Sequence, residues 1–134
     1  MSPIELIGSG HFATPMVRFL SARNRAVTVS ERNAQTAAEL AASHKVTVAF
    51  NQDVVEAIDI VFPALGSHCA MNDLAPLQFC AGQKIVLVMA GETLAQLCDL
   101  CAPVSEFSMT YPSGYLEHGR CPLLHEETNF LSAE

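Results

Sequence analysis

The stretch "PIELIGSGHFATPMVRFL", Pro3 to Leu20, opens the chain, and its reading decides the rest. The run "PIELIG" reads as a short strand. The run "HFATPMVRFLSAR" reads as a helix with Phe12, Met16, Phe19 and Leu20 on one face. Pro15 falls in that helix's first turn, where a missing amide hydrogen costs little. Gly8 and Gly10 stand between the two elements. Either they hold a nucleotide phosphate or they only turn a strand into a helix.

The rest of the chain repeats the same alternation. "AVTVS", "KVTVAF", "DIVFPAL", "KIVLVMA" and "VSEFSMT" read as further strands. "NAQTAAELAASH", "NQDVVEAI", "CAMNDLAPLQFC" and "ETLAQLCDLC" read as the helices between them. Asn33 is the expected N-cap of its helix. Pro63 must lie near the end of its strand, because proline donates nothing to a central ladder. Pro76 interrupts the fourth helix. "KIVLVMA" is apolar almost throughout, as suits a strand buried on both faces. Strands and helices alternating in this way predict an α/β fold: a Rossmann-type doubly wound, mostly parallel sheet of about six strands, ordered 3-2-1-4-5-6. After Tyr111 the pattern fades, and an irregular segment is expected from about residue 112. The whole chain, 1–134, reads as one domain.

In this context the glycines gain meaning. Gly8, Gly10 and Ala13 form a G-x-G-x-x-A at the first strand-to-helix turn, where a dinucleotide fingerprint belongs. Gly8 allows the tight turn, and Gly10 lets the backbone approach a pyrophosphate with no Cβ in the way. Ala13 is small enough for close helix–strand packing, and the helix N-terminus offers free amides to phosphate. The residues that read the adenosine ribose should stand roughly 20 positions on, at Ser30, Glu31 and Arg32. Glu31 is suited to ribose hydroxyls and so to NAD. Arg32, with Ser30 assisting, is suited to a 2′-phosphate and so to NADP. The two residues pull in opposite directions, and the choice stays open at this point.

Composition excludes several other classes. Half of the residues are hydrophobic and 16% are charged, a globular balance with no disordered-tail signature. A formal net charge of -7 argues against nucleic acid as a partner. No apolar run approaches the ~18 residues of a membrane helix. No basic segment precedes an apolar one at the N-terminus, so the expected compartment is the cytoplasm. The cysteines at 69, 80, 98, 101 and 121 are odd in number and irregular in spacing, and read as free thiols. Cys98 and Cys101 form a C-x-x-C, but at a helix's end, where the dipole does not lower a thiol pKa. No zinc-ligand spacing is present, and no metal site is expected.

With these motifs placed, the chain resembles the N-terminal domain of pyrroline-5-carboxylate reductase and its relatives, including deazaflavin-dependent NADP oxidoreductases. The resemblance runs from about Ile4 to Leu124. It rests on "IGSGHFA", "VTVSERN", "DIVFPAL" and, most of all, "VLVMAGETLAQL". It implies that NADP, or alternatively NAD, lies along Gly8, Ser9, Gly10, His11 and Phe12, then Ser30, Glu31 and Arg32. Beyond these it implies contacts with Ala64, Leu65 and Gly66, and with Ala90 and Gly91. It also implies hydride donation from NADP(H) to a C=N or C=O bond. Three features depart from the family. Gly66 and Ser67 stand where it carries Lys-Pro, and "MTYPS" replaces its Met-Pro-Asn-Thr-Pro. Its C-terminal helical domain, which builds the dimer and the substrate pocket, has no counterpart in these residues.

No catalytic residue can be assigned from the sequence. His11 lies in the phosphate turn, where the family usually has asparagine. His68 follows the fourth strand at the ligand-binding edge, and reads chiefly as a loop histidine. Tyr111 and Tyr115 are candidate proton donors, although covering the core edge suits each better. Besides an NADP(H)-dependent oxidoreductase, a non-catalytic nucleotide-binding regulatory or interaction module fits the pattern. An empty pocket, blocked by His11 and Phe12, is a third reading. Leu116, Leu123, Leu124, Phe130 and Leu131 leave the tail apolar. An apolar patch of this kind predicts a homodimer through the last strand or the C-terminal segment.

Overall fold

The computed structural model describes residues 4–88, 93–111, 114–120 and 124–125. In chain order these form β1 (Ile4–Ile7), α1 (Ala13–Ser21), β2 (Val27–Ser30), α2 (Ala34–Ser43), β3 (Val46–Ala49) and α3 (Asn51–Glu56). Next come β4 (Ile60–Pro63), α4 (Ser67–Leu74), β5 (Lys84–Val88), α5 (Leu94–Leu100) and β6 (Glu106–Tyr111). A 3-10 helix (Gly114–His118) and β7 (Leu124–His125) complete the described residues. The sheet runs β3-β2-β1-β4-β5-β6-β7. Its first six strands are parallel and take the expected order. β7 is the addition: it pairs antiparallel with β6, Thr110 facing His125 and Tyr111 facing Leu124. β7 falls within the segment expected to be irregular from about residue 112, and its two residues carry no alternation to detect.

The local signals act where they stand. Asn33 caps α2, its side chain accepting from the Thr36 amide at 3.1 Å. Thr93 and Gln96 form a reciprocal capping box at α5. Pro15 sits in the first turn of α1, and Pro63 is the last residue of β4. α4 starts at Ser67 and ends at Leu74, before Pro76 rather than across it, because the ring cannot continue the ladder.

Adjacent strand residues point to opposite faces, and two cores result. On one face Leu6, Val27 and Val29 meet Ala13 and Val17 of α1 and Ala37 and Leu40 of α2. On the other, Ile7, Val61, Ile85 and Phe107 meet Val54 and Val55 of α3, Leu74 of α4 and Leu97 of α5. The face expected for α1 is corrected in detail. Its fully buried seam is Ala13 and Val17, with Phe12, Met16 and Leu20 partly buried beside it. Phe19 turns aside, and Arg23 stacks over its ring at 3.7 Å. Side-chain amides brace the loops. Gln83 is buried and donates to the carbonyls of Val55 (2.6 Å) and Ile58 (3.0 Å), while accepting from the Cys80 amide.

Glu5 is the anomaly. It lies in β1 opposite Thr28, is only 4% exposed, and its Oε2 has no hydrogen-bond partner among the described residues. Burial pushes its carboxyl above the ordinary value of 4.5. A raised folded-state pKa contributes stability at acid pH, and that contribution is lost as pH rises through the folded value. Glu5→Gln should therefore raise the melting temperature at pH 7, by the equivalent of about 1–3 kcal/mol for an unsatisfied buried group. The gain should shrink as the pH falls towards 4.5. A variant less stable than the parent at pH 7 would contradict this account.

Candidate functional site

The site lies at the carboxyl edge of the sheet, where the chain winds leftwards through β2 and β3 and rightwards from β4. Open α/β sheets bind ligands at such a switch point. The first turn sits between its neighbours under tight constraint. Gly8 has φ +107°, and a Cβ there would stand 2.5 Å from the backbone oxygen of Ala64. Its amide donates to the Ser30 hydroxyl at 2.7 Å, inside the protein. The ends of β2 and β4 thus hold the turn from both sides. Ser9 is also buried, and its hydroxyl donates to the Asn33 carbonyl at the head of α2.

Gly10 is the reverse case. A Cβ built on it meets no atom within 4 Å, so the space above the turn is open. Thr14 closes the helix start beneath it, with its amide and its hydroxyl both donating to the Gly10 carbonyl at 3.0 Å. Phe12 occupies the N-cap of α1 and supplies no side-chain cap, and the first turn carries no acidic residue. The leading amides of α1 are therefore uncapped by side chains and form a positive dipole end. Phe12 itself packs on the core under α1, with the exposed His11 ring edge-on to it at 5.7 Å. Phe12, one of the two residues suspected of blocking the turn, leaves the space at Gly10 open.

The remaining residues fall into place unevenly. Ala64 and Leu65 are buried after β4, and Gly66 forms the N-cap of α4. The His68 ring folds back to within 3.1 Å of where a Gly66 Cβ would be. Ala90 and Gly91 lie outside the described residues. Ser30 is fully buried beneath the glycine turn, where its hydroxyl accepts from the Gly8 amide. Glu31 and Arg32 are exposed at that edge. Arg32 is ion-paired with Asp73 of α4. Asp73 went unnoticed in the sequence, because nothing in the spacing of residues 32 and 73 signals that α4 returns to the end of β2.

Among the described residues, groups suited to proton transfer are sparse. The Tyr111 hydroxyl lies 2.8 Å from the Met109 sulfur, and Tyr115 is exposed on the 3-10 helix. Cys101 caps the end of α5, and burial, with Cys98 beside it, pushes its thiol up to about 12. Burial raises Cys98 too, with Asp99 adding to the shift. Neither thiol is a ready nucleophile at neutral pH. Among the described residues no group of His, Cys, Asp and Glu is arranged to hold a metal ion. No helix among them is long and apolar enough to cross a membrane.

The same architecture occurs in solved structures. A pyrroline-5-carboxylate reductase from Coxiella burnetii superposes with a TM-score of 0.78 at 19% identity, over 95% of this chain and 50% of that one. The 1-pyrroline-5-carboxylate reductase of Streptococcus pyogenes gives 0.74 at 22% identity, over 93% of this chain and 49% of that one. The reductive aminase of Aspergillus terreus, in complex with NADPH and ethyl-5-oxohexanoate, gives 0.76 at 20% identity, over 96% and 49%. The chain thus spans about half the length of these proteins. No curated protein matches it. The family model described as NADP oxidoreductase, coenzyme F420-dependent, matches residues 3–91. That match covers well over half of the chain and takes in the glycine turn, the ribose edge and the β4 end, so the chain belongs to this family, with the fold of its dinucleotide-binding domain.

Proposed function

We propose that this chain binds NADP(H), in preference to NAD(H), as the cofactor half of an oxidoreductase acting on a C=N or C=O bond. The substrate site is completed by a further domain or chain. The observation that carries this reading is the open space at Gly10 beneath the uncapped start of α1. A pyrophosphate fits there against backbone amides, held by Gly8, Ser9, Gly10, His11 and Phe12. Ala64, Leu65 and Gly66 would line the β4 side, with Ala90 and Gly91 beyond them. When bound, the nicotinamide supplies a hydride. The chain's own contribution is binding and orientation, and we assign no catalytic residue. A non-catalytic nucleotide-binding module draws support from that same scarcity of proton-transfer groups. NADPH oxidation with cyclic imines and ketones, assayed with and without candidate partner chains, separates the two readings.

The glycines make the binding test sharp. Gly8→Ala forces an L-residue into φ +107° and against Ala64, which should cost about 2–3 kcal/mol and lower Tm by roughly 10 °C. Gly10→Ala meets no neighbour, so Tm should hold while fluorescence-detected NADPH binding falls about ten-fold or more. Undiminished binding by Gly10→Ala would remove the phosphate reading.

Selectivity turns on Arg32. Charge-assisted bonds to phosphate contribute about 1.5–3 kcal/mol. A partly exposed ion pair, such as Arg32 with Asp73, contributes about 0–1 kcal/mol. The 2′-phosphate therefore wins the guanidinium, against the opposition of Glu31 and Asp73. Arg32→Ala should weaken NADPH about ten-fold and leave NADH nearly unchanged. Asp73→Asn should tighten NADPH up to about five-fold. Equal losses for both cofactors in Arg32→Ala would show that the guanidinium does not read the phosphate.

The cytoplasm and a homodimer complete the proposal. The homodimer would form through the last strand or the C-terminal segment. Light scattering at micromolar concentration should give the dimer mass, from an interface of at least roughly 1,000 Å². A monomer mass would end that part of the proposal.

A further inference from the structure

The edge of the sheet opposite the glycine turn carries a second cavity, of about 380 Å³, where the carboxyl ends of α1 and α2 meet the starts of β2 and β3. Its walls include Arg18, Arg25, His44 and Lys45, with Ser21 and Asn24. The chain has only seven Lys and Arg residues against fourteen Asp and Glu, and three of the seven gather here. Arg18 is balanced by Glu117, 3.1 Å away. Arg25 and Lys45 have no carboxylate partner among the described residues. Glu39 lines only the smaller adjoining groove, and its carboxylate accepts from Gln35 one turn further from the cavity.

Two helix carboxyl ends would attract cations, each with roughly half a negative charge. Together they offset about one of the two unpaired cations. The other remains, in a chain whose net charge is -7. The Arg25 guanidinium and the Lys45 ammonium together are a donor set for an oxyanion. The volume exceeds that of a lone phosphate and lies within the range of small-ligand pockets. Ala22 and Ala26 provide apolar wall for a short carbon body.

We infer that this cavity binds a small phosphate monoester, its phosphate held by Arg25 and Lys45. The site is independent of the glycine turn, which lies at the other end of α1, about 14 Å away. Phosphate sources are separated by titrating glycerol 3-phosphate and inorganic phosphate in turn, with the chain saturated by NADPH so that the turn is occupied. Nitrogen–proton correlation spectra should show shifts at the amides of residues 22–26 and 43–45. The ester should bind more tightly than inorganic phosphate, and Arg25→Gln and Lys45→Gln should each weaken it about ten-fold. Gly10→Ala should leave these shifts unaltered. Tighter binding of inorganic phosphate would overturn the ester assignment. Absent shifts, or unchanged affinity in both charge variants, would overturn the site. Loss of thermal stability in those variants, without any effect of the ester, would assign the cations to the helix ends alone.

Discussion

The amide of Gly8 donates to a buried serine on β2, while any Cβ at its position would collide with a backbone oxygen after β4. That double contact is the constraint on which the site depends. β1 has one neighbour from each half of the fold, and the turn at its end must fit both. Only a residue without Cβ enters the space, and only a positive φ directs the next residues outward. Gly10 then reaches open space because Gly8 has taken up the crowding. The two glycines look alike in sequence, yet one serves the fold and the other leaves room for a ligand.

The ribose edge is governed by a different balance. Arg32 is flanked by Glu31 in the chain and by Asp73 across space, so the corner as a whole is negative. Such an edge does not select a phosphate simply by containing an arginine. In the proposed reading, selection would come from the difference between two modest energies, a half-exposed ion pair and a set of charge-assisted bonds. Small changes in either carboxylate shift the outcome.

Much of this was legible in the residues. Apolar β-branched runs, caps and prolines placed the six parallel strands, because local chemistry and burial point the same way there. The glycine spacing located the turn. What escaped depends on contacts between distant positions. Ser30 stands at the ribose position by spacing, and nothing local signalled that its hydroxyl accepts from the Gly8 amide. Asp73 gave no signal because its partner, Arg32, is far away in the chain. β7 has two residues and no period. Phe12 looked like an obstruction until the direction of its side chain was known, and that direction is set by the core beneath α1.

The junction between β1 and β4 has a consequence for the order of folding. Each half of the sheet is built from strands close in sequence, whereas Leu6 and Phe62 pair across a long span of chain. Only two register pairs join the halves, Leu6 with Phe62 and Ile7 with Pro63. Closing so long a loop is entropically costly, so the halves are expected to gain structure before they meet. The carbonyl that confines Gly8 arrives with β4, and the glycine turn is therefore finished only at that meeting. A nucleotide bound there would favour the joined state over any species with separated halves, and would act as a fastener for the domain as well as its ligand.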